Sequence, residues 1–389
     1  MGRPSALLPV SRASGRDGRD IEVSAPEAGA EARTNWLALS GRRRTQKGRC
    51  MYLDHKVLDV HGHVSPPLQG TGMVNMLLRA TNTAGLEPLA SETVAAHYGL
   101  DGPAWEISVG RHVQALDERG IDVQLIGPRP FLMSADMPQH VFATWTRFVN
   151  DSIAKQCRMA PTRFVGACQL PQDRQQGDAA HCLPELRRCV DEHGFAAVYV
   201  SPDEIGDHGG HGLADSWWNP LYEECERVGL PVIIHGTTNV DPRLAHIPQN
   251  YQMSFVAEQY WAGQSLSHSD VFTRYPDLRV IICHCGGSLD RWIPTDSHLA
   301  QQDLSTNLFY DTCAHDIHYL EAAIKQRTPA RLLFGTEAPG SGGALRPETG
   351  RPADDLVPVI GGFGFLTEAE KVDIFHNNAA RLLPEMAKL

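Results

Sequence analysis

The segment KVLDVHGHVSPP, residues 56 to 67, joins an apolar run to two histidines that are separated by a single glycine. The apolar run predicts a buried strand, and side chains at i and i+2 of a strand lie on the same face. His61 and His63 therefore point to the same side. Two neutral imidazoles aimed at one point indicate a metal site, and a pair of hydrogen-bonded interior histidines is the alternative.

Seven further apolar runs follow the same plan, each ending in polar residues and leading into a longer amphipathic segment. The runs are DVQLIGPR (122–129), RFVGACQL (163–170), FAAVYVS (195–201), LPVIIHG (230–236), LRVIICHC (278–285), NLFYDTC (307–313) and ARLLFGTE (330–337). Helices are predicted over 139–157, 183–194 and 218–229, and the last two end at a glycine.

Eight apolar strands joined by helices predict an α/β fold with a parallel sheet covered on its outer face, a (β/α)8 TIM barrel. A doubly wound open sheet is the alternative, but that fold more often has a Gly-rich phosphate turn after its first strand, which HGHVSPP is not. The long connection between residues 64 and 110 predicts an inserted cap or lid.

The composition limits the classes of partner. A net charge of -11 disfavours binding to nucleic acid, which needs a surplus of Lys and Arg. The chain has no apolar run of about 18 residues, so no membrane span is predicted. Nine scattered cysteines without a CxxC pair indicate reduced thiols in a cytoplasmic protein.

The first fifty residues form a zone of their own, rich in Arg, Gly, Ala and Ser and without periodicity. We interpret residues 1–50 as a flexible extension, or as sequence upstream of a start at Met51. Residues 51–389 then form a single catalytic domain.

In a closed barrel, the carboxyl ends of all the strands surround one mouth. The polar residues that end the predicted strands are His61, His63, Arg129, Gln169, Ser201, His235, His284, Asp311, Cys313 and Glu337. Taken alone, His235 is more simply a packed core histidine. Three imidazoles, one carboxylate and an open position suit one divalent ion, Zn²⁺ first and Mn²⁺ or Fe²⁺ as alternatives.

Several of these residues keep more than one interpretation. His284 is a further ligand, a general acid or base, or simply packed, and Gly286 and Gly287 after it leave space for a substrate. Glu337 binds the metal or accepts a proton beside it. Arg129 clamps a substrate carboxylate or ties a loop by a salt bridge, and Arg291 is a second candidate clamp.

The order of these motifs resembles the amidohydrolase superfamily, in the branch related to aminocarboxymuconate semialdehyde decarboxylase. The resemblance rests on HGH after strand one, His235 after strand five, HCGG after strand six and an acidic residue after strand eight, and it spans about residues 52–385. No lysine ends strand four, so the carboxylated lysine of binuclear members has no counterpart. The resemblance therefore implies one metal ion and, commonly, a homodimer or larger homo-oligomer.

One departure separates the chain from the decarboxylases of that branch, whose acid after strand eight is normally aspartate. Here it is Glu337 in GTEAPGSGG, and with GPRP and YDTCAHD this looks more like the 4-oxalomesaconate hydratase family. Carried over, the resemblance makes His61, His63, His235 and Glu337 the metal ligands, with His284 near the reacting centre.

The leading hypothesis is a metal-dependent lyase that adds water to a carbon-carbon double bond of an unsaturated polycarboxylate or keto acid. Glu337 and His284 would move protons, Arg129 and Arg291 would hold carboxylates, and Asp311 and Cys313 would line the pocket. The alternatives are a nonoxidative decarboxylase of an aromatic or muconate-type acid, a hydrolase of an ester, lactone or amide, and a noncatalytic metal-binding scaffold.

Overall fold

The structure is a computed structural model. It describes residues 42–44, 50–80, 102–133, 136–137, 139–238, 241–248, 252–291, 296–297, 303–347 and 349–389. Most of the predicted extension over residues 1–50 lies outside the described residues. The short strands Arg42–Arg44 and Cys50–Tyr52 pair antiparallel ahead of the main sheet.

Eight parallel strands form the central sheet, each paired with its neighbour in chain order. Their bounds are β1 Leu58–His63, β2 Val123–Gly127, β3 Phe164–Gln169, β4 Ala197–Val200, β5 Val232–Ile234, β6 Val280–Ile282, β7 Leu308–Asp311 and β8 Leu332–Leu333. Beyond β8 the chain returns to β1: the Val60 amide donates to the Phe334 carbonyl at 2.8 Å, and the Glu337 amide donates to the His61 carbonyl at 2.8 Å. The predicted barrel is confirmed, and the open-sheet alternative is wrong.

The helices surround this barrel. Their bounds are α1 Leu68–Ala80, α2 Pro103–Arg119, α3 Gln139–Met159, α4 Leu183–His193, α5 Asn219–Val228, α6 Met253–Ser267, α7 Val271–Arg274, α8 Ile317–Arg327, α9 Val357–Gly361, α10 Glu368–Val372, α11 Asn378–Leu382 and α12 Pro384–Lys388. As predicted, α4 and α5 end at left-handed glycines, Gly194 and Gly229. None of the described helices is both long and apolar enough to cross a membrane.

The connection between β1 and β2, where the sequence predicts an inserted cap or lid, contains α1 and α2, and residues 81–101 between these helices lie outside the described residues. Helix α2 packs on the barrel through buried residues that include Trp105, Val109 and Leu116. The long connection therefore holds at least one helix that covers the sheet.

Two apolar layers hold the barrel together. One lies between the strands and the outer helices, and the other fills the barrel interior. The carboxyl-terminal helices close the interior at one end, where Leu382, Leu383 and Met386 are buried with interior residues of the strands. Lys56, which precedes β1, donates from Nζ to the carbonyl of Ala387 at 3.1 Å, so this plug sits at the amino ends of the strands. The opposite end, the mouth, is left for function.

The cysteine side chains that the structure describes, eight in number, are free thiols. Seven of them are buried and Cys157 is half-buried. This agrees with the prediction of reduced thiols packed in apolar surroundings.

Candidate metal centre

Four residues at the mouth come from three strand ends far apart in the chain. His61 and His63 lie at the end of β1, His235 directly follows β5, and Glu337 follows β8. One ligand atom from each residue lies within 4.8 Å of the ligand atoms of the others, and all four residues are buried. The structure thus brings together the four residues that the sequence predicts as ligands.

The Nδ1 atom of each of the three histidines lies within hydrogen-bond distance of an acceptor oxygen. Nδ1 of His61 is 2.6 Å from Oδ2 of Asp311, Nδ1 of His63 is 2.8 Å from the Pro128 carbonyl, and Nδ1 of His235 is 2.6 Å from the Gly236 carbonyl. Because a carbonyl or carboxylate oxygen only accepts, each Nδ1 carries the hydrogen. In the neutral rings the lone pair is then on Nε2.

Those lone pairs are directed into the centre of the cluster. The Nε2 atoms of His61, His63 and His235 are buried and have no hydrogen-bond partner in the described structure. Buried polar atoms without a partner are rare in folded proteins because each costs about 1–3 kcal/mol. The arrangement fits a divalent ion, which accepts imidazole nitrogens and carboxylate oxygens together.

The electrostatics of the cluster also favour a cation. Burial lowers the pKa of His63 to about 4 and that of His235 well below its usual range, so both rings are neutral donors at pH 7. Burial opposes charge on His61, yet Cys283 and Asp311 hold its pKa well above the usual value. Asp311 therefore favours a positive charge on His61, which a proton or a bound cation at Nε2 supplies, while the rings of His63 and His235 stay neutral.

Glu337 supplies the oxygen of the set, and its backbone has a positive φ of 60°. Its Oε1 is 3.6 Å from Nε2 of His63, whereas Oε2 accepts from Ser341 Oγ at 2.7 Å and Gln252 Nε2 at 3.0 Å. Despite burial, His284 and His63 hold the pKa of this carboxyl well below its usual range. Glu337 is thus ionised, with one oxygen toward His63 and the other held in place.

His284 lies against the same cluster. Its ring centroid is 4.9 Å from that of His61 and 5.1 Å from that of His235, and its Nε2 is 3.7 Å from Oε2 of Glu337. Nδ1 is 3.0 Å from Oε1 of Gln259, and the buried Nε2 has no partner in the described structure. His284 therefore adds a fourth imidazole nitrogen beside the Glu337 carboxylate.

The space expected at Gly286 and Gly287 is filled by protein. A Cβ on Gly286 would lie 2.8 Å from the Tyr310 ring, and a Cβ on Gly287 would lie 2.0 Å from the Val256 carbonyl oxygen of α6. The expectation that these glycines make room for substrate is wrong, because they allow α6 and β7 to pack closely against the turn after β6.

Asp311 and Cys313 are both predicted to line the pocket, and the structure places each of them beside the histidine cluster. Asp311 is fully buried: Oδ2 faces Nδ1 of His61, and Oδ1 accepts from the Cys285 and Cys313 amides at 3.1 and 3.0 Å. Asp311 is not among the described residues that line the mouth cavity, and it contacts the candidate ligand His61 through Nδ1.

Cys313 belongs to the floor of the cluster. Its Sγ lies within 4.8 Å of nitrogen atoms of His61 and His284. Burial raises the pKa of this thiol well above its usual range, so it is neutral. Cys313 therefore offers a soft, uncharged surface beside the rings.

The two arginines that are predicted to bind substrate carboxylates, Arg129 and Arg291, differ in their position relative to the cavity. The Arg129 guanidinium lines the mouth cavity and donates from Nε to the Val64 carbonyl at 2.9 Å and from Nη2 to Ser65 Oγ at 3.2 Å. Arg291 is exposed and is not among the described residues that line the cavity. The structure thus places Arg129 at the metal centre and Arg291 away from it.

A buried network behind the site escaped the sequence-based prediction. Asp59 accepts from the His61 amide at 3.0 Å, from Thr336 Oγ1 at 2.6 Å and from Gln124 Nε2 at 2.8 Å. Gln124 Oε1 in turn is 2.8 Å from Nε2 of His112 on α2. The signal was present in the sequence, since Asp59 lies two residues before His61 in a predicted strand.

Gly62 makes this network possible. A Cβ at this position would lie 2.2 Å from the Gln124 side chain, which bridges Asp59 and the Ala338 carbonyl next to Glu337. The glycine between the two histidines therefore leaves room for the amide that ties β1 to the loop after β8.

A cavity of about 1120 Å³ opens above the cluster. His63, Arg129 and Glu337 line it together with Ser341. The unpartnered side of the metal centre therefore faces a space large enough for an organic substrate.

The amidohydrolase family model matches residues 58–384, from the start of β1 to the end of the barrel. This chain belongs to the amidohydrolase family. It is an enzyme family in which a divalent metal is usual, in agreement with the buried histidine and glutamate cluster.

Individual relatives include both hydratases and decarboxylases. The chain is 31% identical over 291 residues to 2-keto-4-carboxy-3-hexenedioate hydratase of a Sphingobium species, covering 71% of this chain and 83% of that protein. It is 26% identical over 301 residues to 2-amino-3-carboxymuconate-6-semialdehyde decarboxylase of Dictyostelium discoideum, covering 73% and 78%. The solved structure of 4-oxalomesaconate hydratase from Rhodopseudomonas palustris has the same fold, with a TM-score of 0.70 at 24% identity, covering 85% of this chain and 97% of that one.

Proposed function

We propose that this chain is a metal-dependent hydratase that adds water across the carbon-carbon double bond of an unsaturated keto acid or polycarboxylate. The observation that carries the proposal is the convergence of three Nε2 lone pairs and the Glu337 carboxylate beneath a cavity that also holds Arg129. Hydration is favoured over other chemistry because the relative at 31% identity is a hydratase.

His61, His63, His235 and Glu337 would hold one divalent ion, and Zn²⁺ best suits three nitrogens and one oxygen, with Mn²⁺ or Fe²⁺ as alternatives. Such an ion supplies Lewis acidity and a water whose pKa is lowered to about 7. Asp311 would orient His61 through its Nδ1, as partners of metal-ligating histidines commonly do.

The side chains around the ion have separate tasks in this proposal. Arg129 pairs with a substrate carboxylate, since it lines the cavity together with Glu337 and a guanidinium binds a carboxylate through two hydrogen bonds. Glu337 Oε2 and His284 Nε2, 3.7 Å apart, form the pair between which a proton from water is held and then passed to the substrate carbon.

The test of the reaction is an assay of purified, metal-loaded protein with 4-oxalomesaconate and with 2-keto-3-enoic acids. We expect the product mass to rise by one water, with no release of carbon dioxide. Failure to hydrate any unsaturated acid of these classes would reject the proposal.

Nonoxidative decarboxylation is the second candidate, supported by the decarboxylase relative at 26% identity. It uses the same metal centre but breaks a bond to a carboxylate carbon. Carbon dioxide release without water addition, from a muconate-type or aromatic acid, would favour it. Cleavage of an ester, lactone or amide in the same assay would instead favour a hydrolase.

The substitution Glu337→Gln, which keeps the shape and removes the charge, distinguishes proton transfer from metal ligation as the main role of Glu337. Retained metal with turnover lower by about two orders of magnitude or more indicates proton transfer as the main role. Loss of the metal indicates ligation. Metal content by mass spectrometry and turnover are measured on the same sample.

Two properties remain predictions: a homodimer or larger homo-oligomer, and a cytoplasmic location. Sedimentation velocity at micromolar concentration tests the first, and a sedimenting species with the mass of one chain would contradict it.

A further inference from the structure

The cavity above the metal centre has an apolar wall. Its described members include Pro130, Phe131, Leu244, Ile247, Met253 and Phe255. Phe131, Ile247 and Met253 are 48%, 37% and 41% exposed, and three large apolar side chains facing water around one concavity indicate a site for an apolar group.

This wall begins directly at the metal cluster. The Phe255 ring centroid is 5.6 Å from that of His235 and 6.4 Å from that of His284. From Phe255 the wall continues through Met253 and Ile247 toward solvent. A substrate whose reacting carbon lies near the cluster would therefore place its remaining atoms against apolar surface.

The charge around the cavity does not suit a compact polyanion. Among the described residues that line it, Arg129 is the sole side chain with a permanent positive charge, and Glu337 and Asp241 are acidic. The nearby Arg243 pairs with Asp241, its Nε 2.8 Å from Oδ2.

A tricarboxylate needs a cation or several donors for each carboxylate, because an ionised group against apolar surface loses its hydration without compensation. Arg129 and one divalent ion can bind a single keto-acid group, and the other polar side chains of the described lining that are not acidic, which include Thr238, Gln252, Ser254 and Ser341, carry no charge. The apolar wall of the cavity would then pack against an apolar substituent of the substrate.

On these grounds, and resting on the proposed hydratase function, the geometry points to a narrower substrate class: 2-keto-3-enoic acids that carry an aryl or branched alkyl group at C4. In the reaction the C3–C4 π bond breaks, the hydroxyl of water bonds to C4, and its proton ends on C3. No oxidant, reductant or second substrate is needed.

Binding of saturated analogues tests the substrate class without relying on the reaction. The probes are 2-oxo-4-phenylbutanoate, which has one carboxylate and an aryl group, and propane-1,2,3-tricarboxylate, measured by calorimetry on metal-loaded protein. We expect the aryl keto acid to bind at least about tenfold more tightly, the effect of burying part of one ring. Equal or tighter binding of the tricarboxylate would overturn the inference.

Substitutions in the wall make the test specific. Ile247→Asp and Met253→Asp, both at exposed positions, should each weaken binding of the aryl keto acid about tenfold or more. Ile107→Asp is the matched control, because Ile107 is 55% exposed on α2 and does not line the cavity, and it should change binding less than twofold. Unchanged binding in both wall variants would also overturn the inference.

Turnover separates this inference from the proposed function. Tight binding of the aryl keto acid without hydration of 4-phenyl-2-oxobut-3-enoate would reject the hydratase and keep the apolar site. Hydration of 4-oxalomesaconate in preference to the aryl acid would keep the hydratase and reject the apolar substrate class.

Discussion

The two ends of the barrel are built from the same eight strands, but one end is closed by apolar packing and the other holds buried polar side chains. At the amino end, Leu382, Leu383 and Met386 close the interior with apolar contacts. At the mouth, the Nε2 atoms of His61 and His235 are buried and have no hydrogen-bond partner among the described residues, and polar contacts at Nδ1 hold the rings.

This difference shows where stability and function lie in the molecule. Apolar burial at the amino end stabilises the fold directly, at about 25 cal/mol per Å². The mouth instead keeps buried polar atoms that cost free energy until a ligand satisfies them. A substitution at the mouth should therefore lower activity with little loss of stability. A substitution at the amino end should lower stability with little loss of activity per folded molecule.

The largest effect is expected for His61→Ala at the mouth. Removal of one of the proposed ligands should strip the metal and lower turnover by about a thousandfold or more, while the circular dichroism spectrum stays that of the folded protein. Metal content and turnover are measured together. His318→Ala, at an exposed position on α8, is the control and should keep both; a His61 variant that keeps metal and turnover contradicts the ligand assignment.

At the amino end, Leu383→Ala should do the reverse. Leu383 is fully buried in the plug, so the cavity left by truncation should lower the free energy of unfolding by about 2–5 kcal/mol. Turnover per folded molecule and metal content should stay close to those of the wild type. Urea unfolding measures the change, with Leu345→Ala, 65% exposed, as a control expected within about 0.5 kcal/mol. A loss of metal in the Leu383 variant would show that the ends are not separable.

Arg129→Met tests a part of the mouth that we propose to bind substrate without holding the metal. Loss of the guanidinium should raise KM about tenfold to a hundredfold, while kcat changes by less than about threefold. Arg291→Met is the matched control and should leave both constants unchanged, because Arg291 does not line the cavity. Unchanged kinetics in the Arg129 variant would refute the clamp.

The smallest expected effect concerns the network that links the mouth to α2. Burial lowers the pKa of His112 to about 3, below its ordinary value of 6.5. Because the unfolded chain binds this proton more readily, the stability is fully present above pH 6.5 and is lost as the pH falls toward 3. Between pH 7 and pH 5 the loss from this residue is about 2 kcal/mol.

Urea unfolding of the wild type and of His112→Gln at pH 7 and pH 5 measures that contribution. The variant should lose about 2 kcal/mol less than the wild type over this interval. An exposed control, His318→Gln, should keep the wild-type pH dependence. An equal pH dependence in the His112 variant would contradict a neutral, buried His112.

The barrel and its mouth were predictable because both depend on local patterns. Apolar runs locate the strands, and strand ends such as those at His61, His235 and Glu337 must meet once the barrel closes. The partners of those residues were harder to predict. Asp311 contacts His61 and Gln252 contacts Glu337, and no sequence periodicity predicts contacts between residues so far apart in the chain. The packing around Gly286 and Gly287 likewise depends on the position of α6.

The central claim is that His61, His63, His235 and Glu337 share one divalent ion at the mouth. A crystal structure of the metal-loaded protein, with anomalous diffraction recorded at the metal edge, tests it most directly. The account predicts a single peak ligated by those four side chains, with the ion facing the cavity. Two peaks, no peak, or an ion that omits His61 or His235 would contradict it.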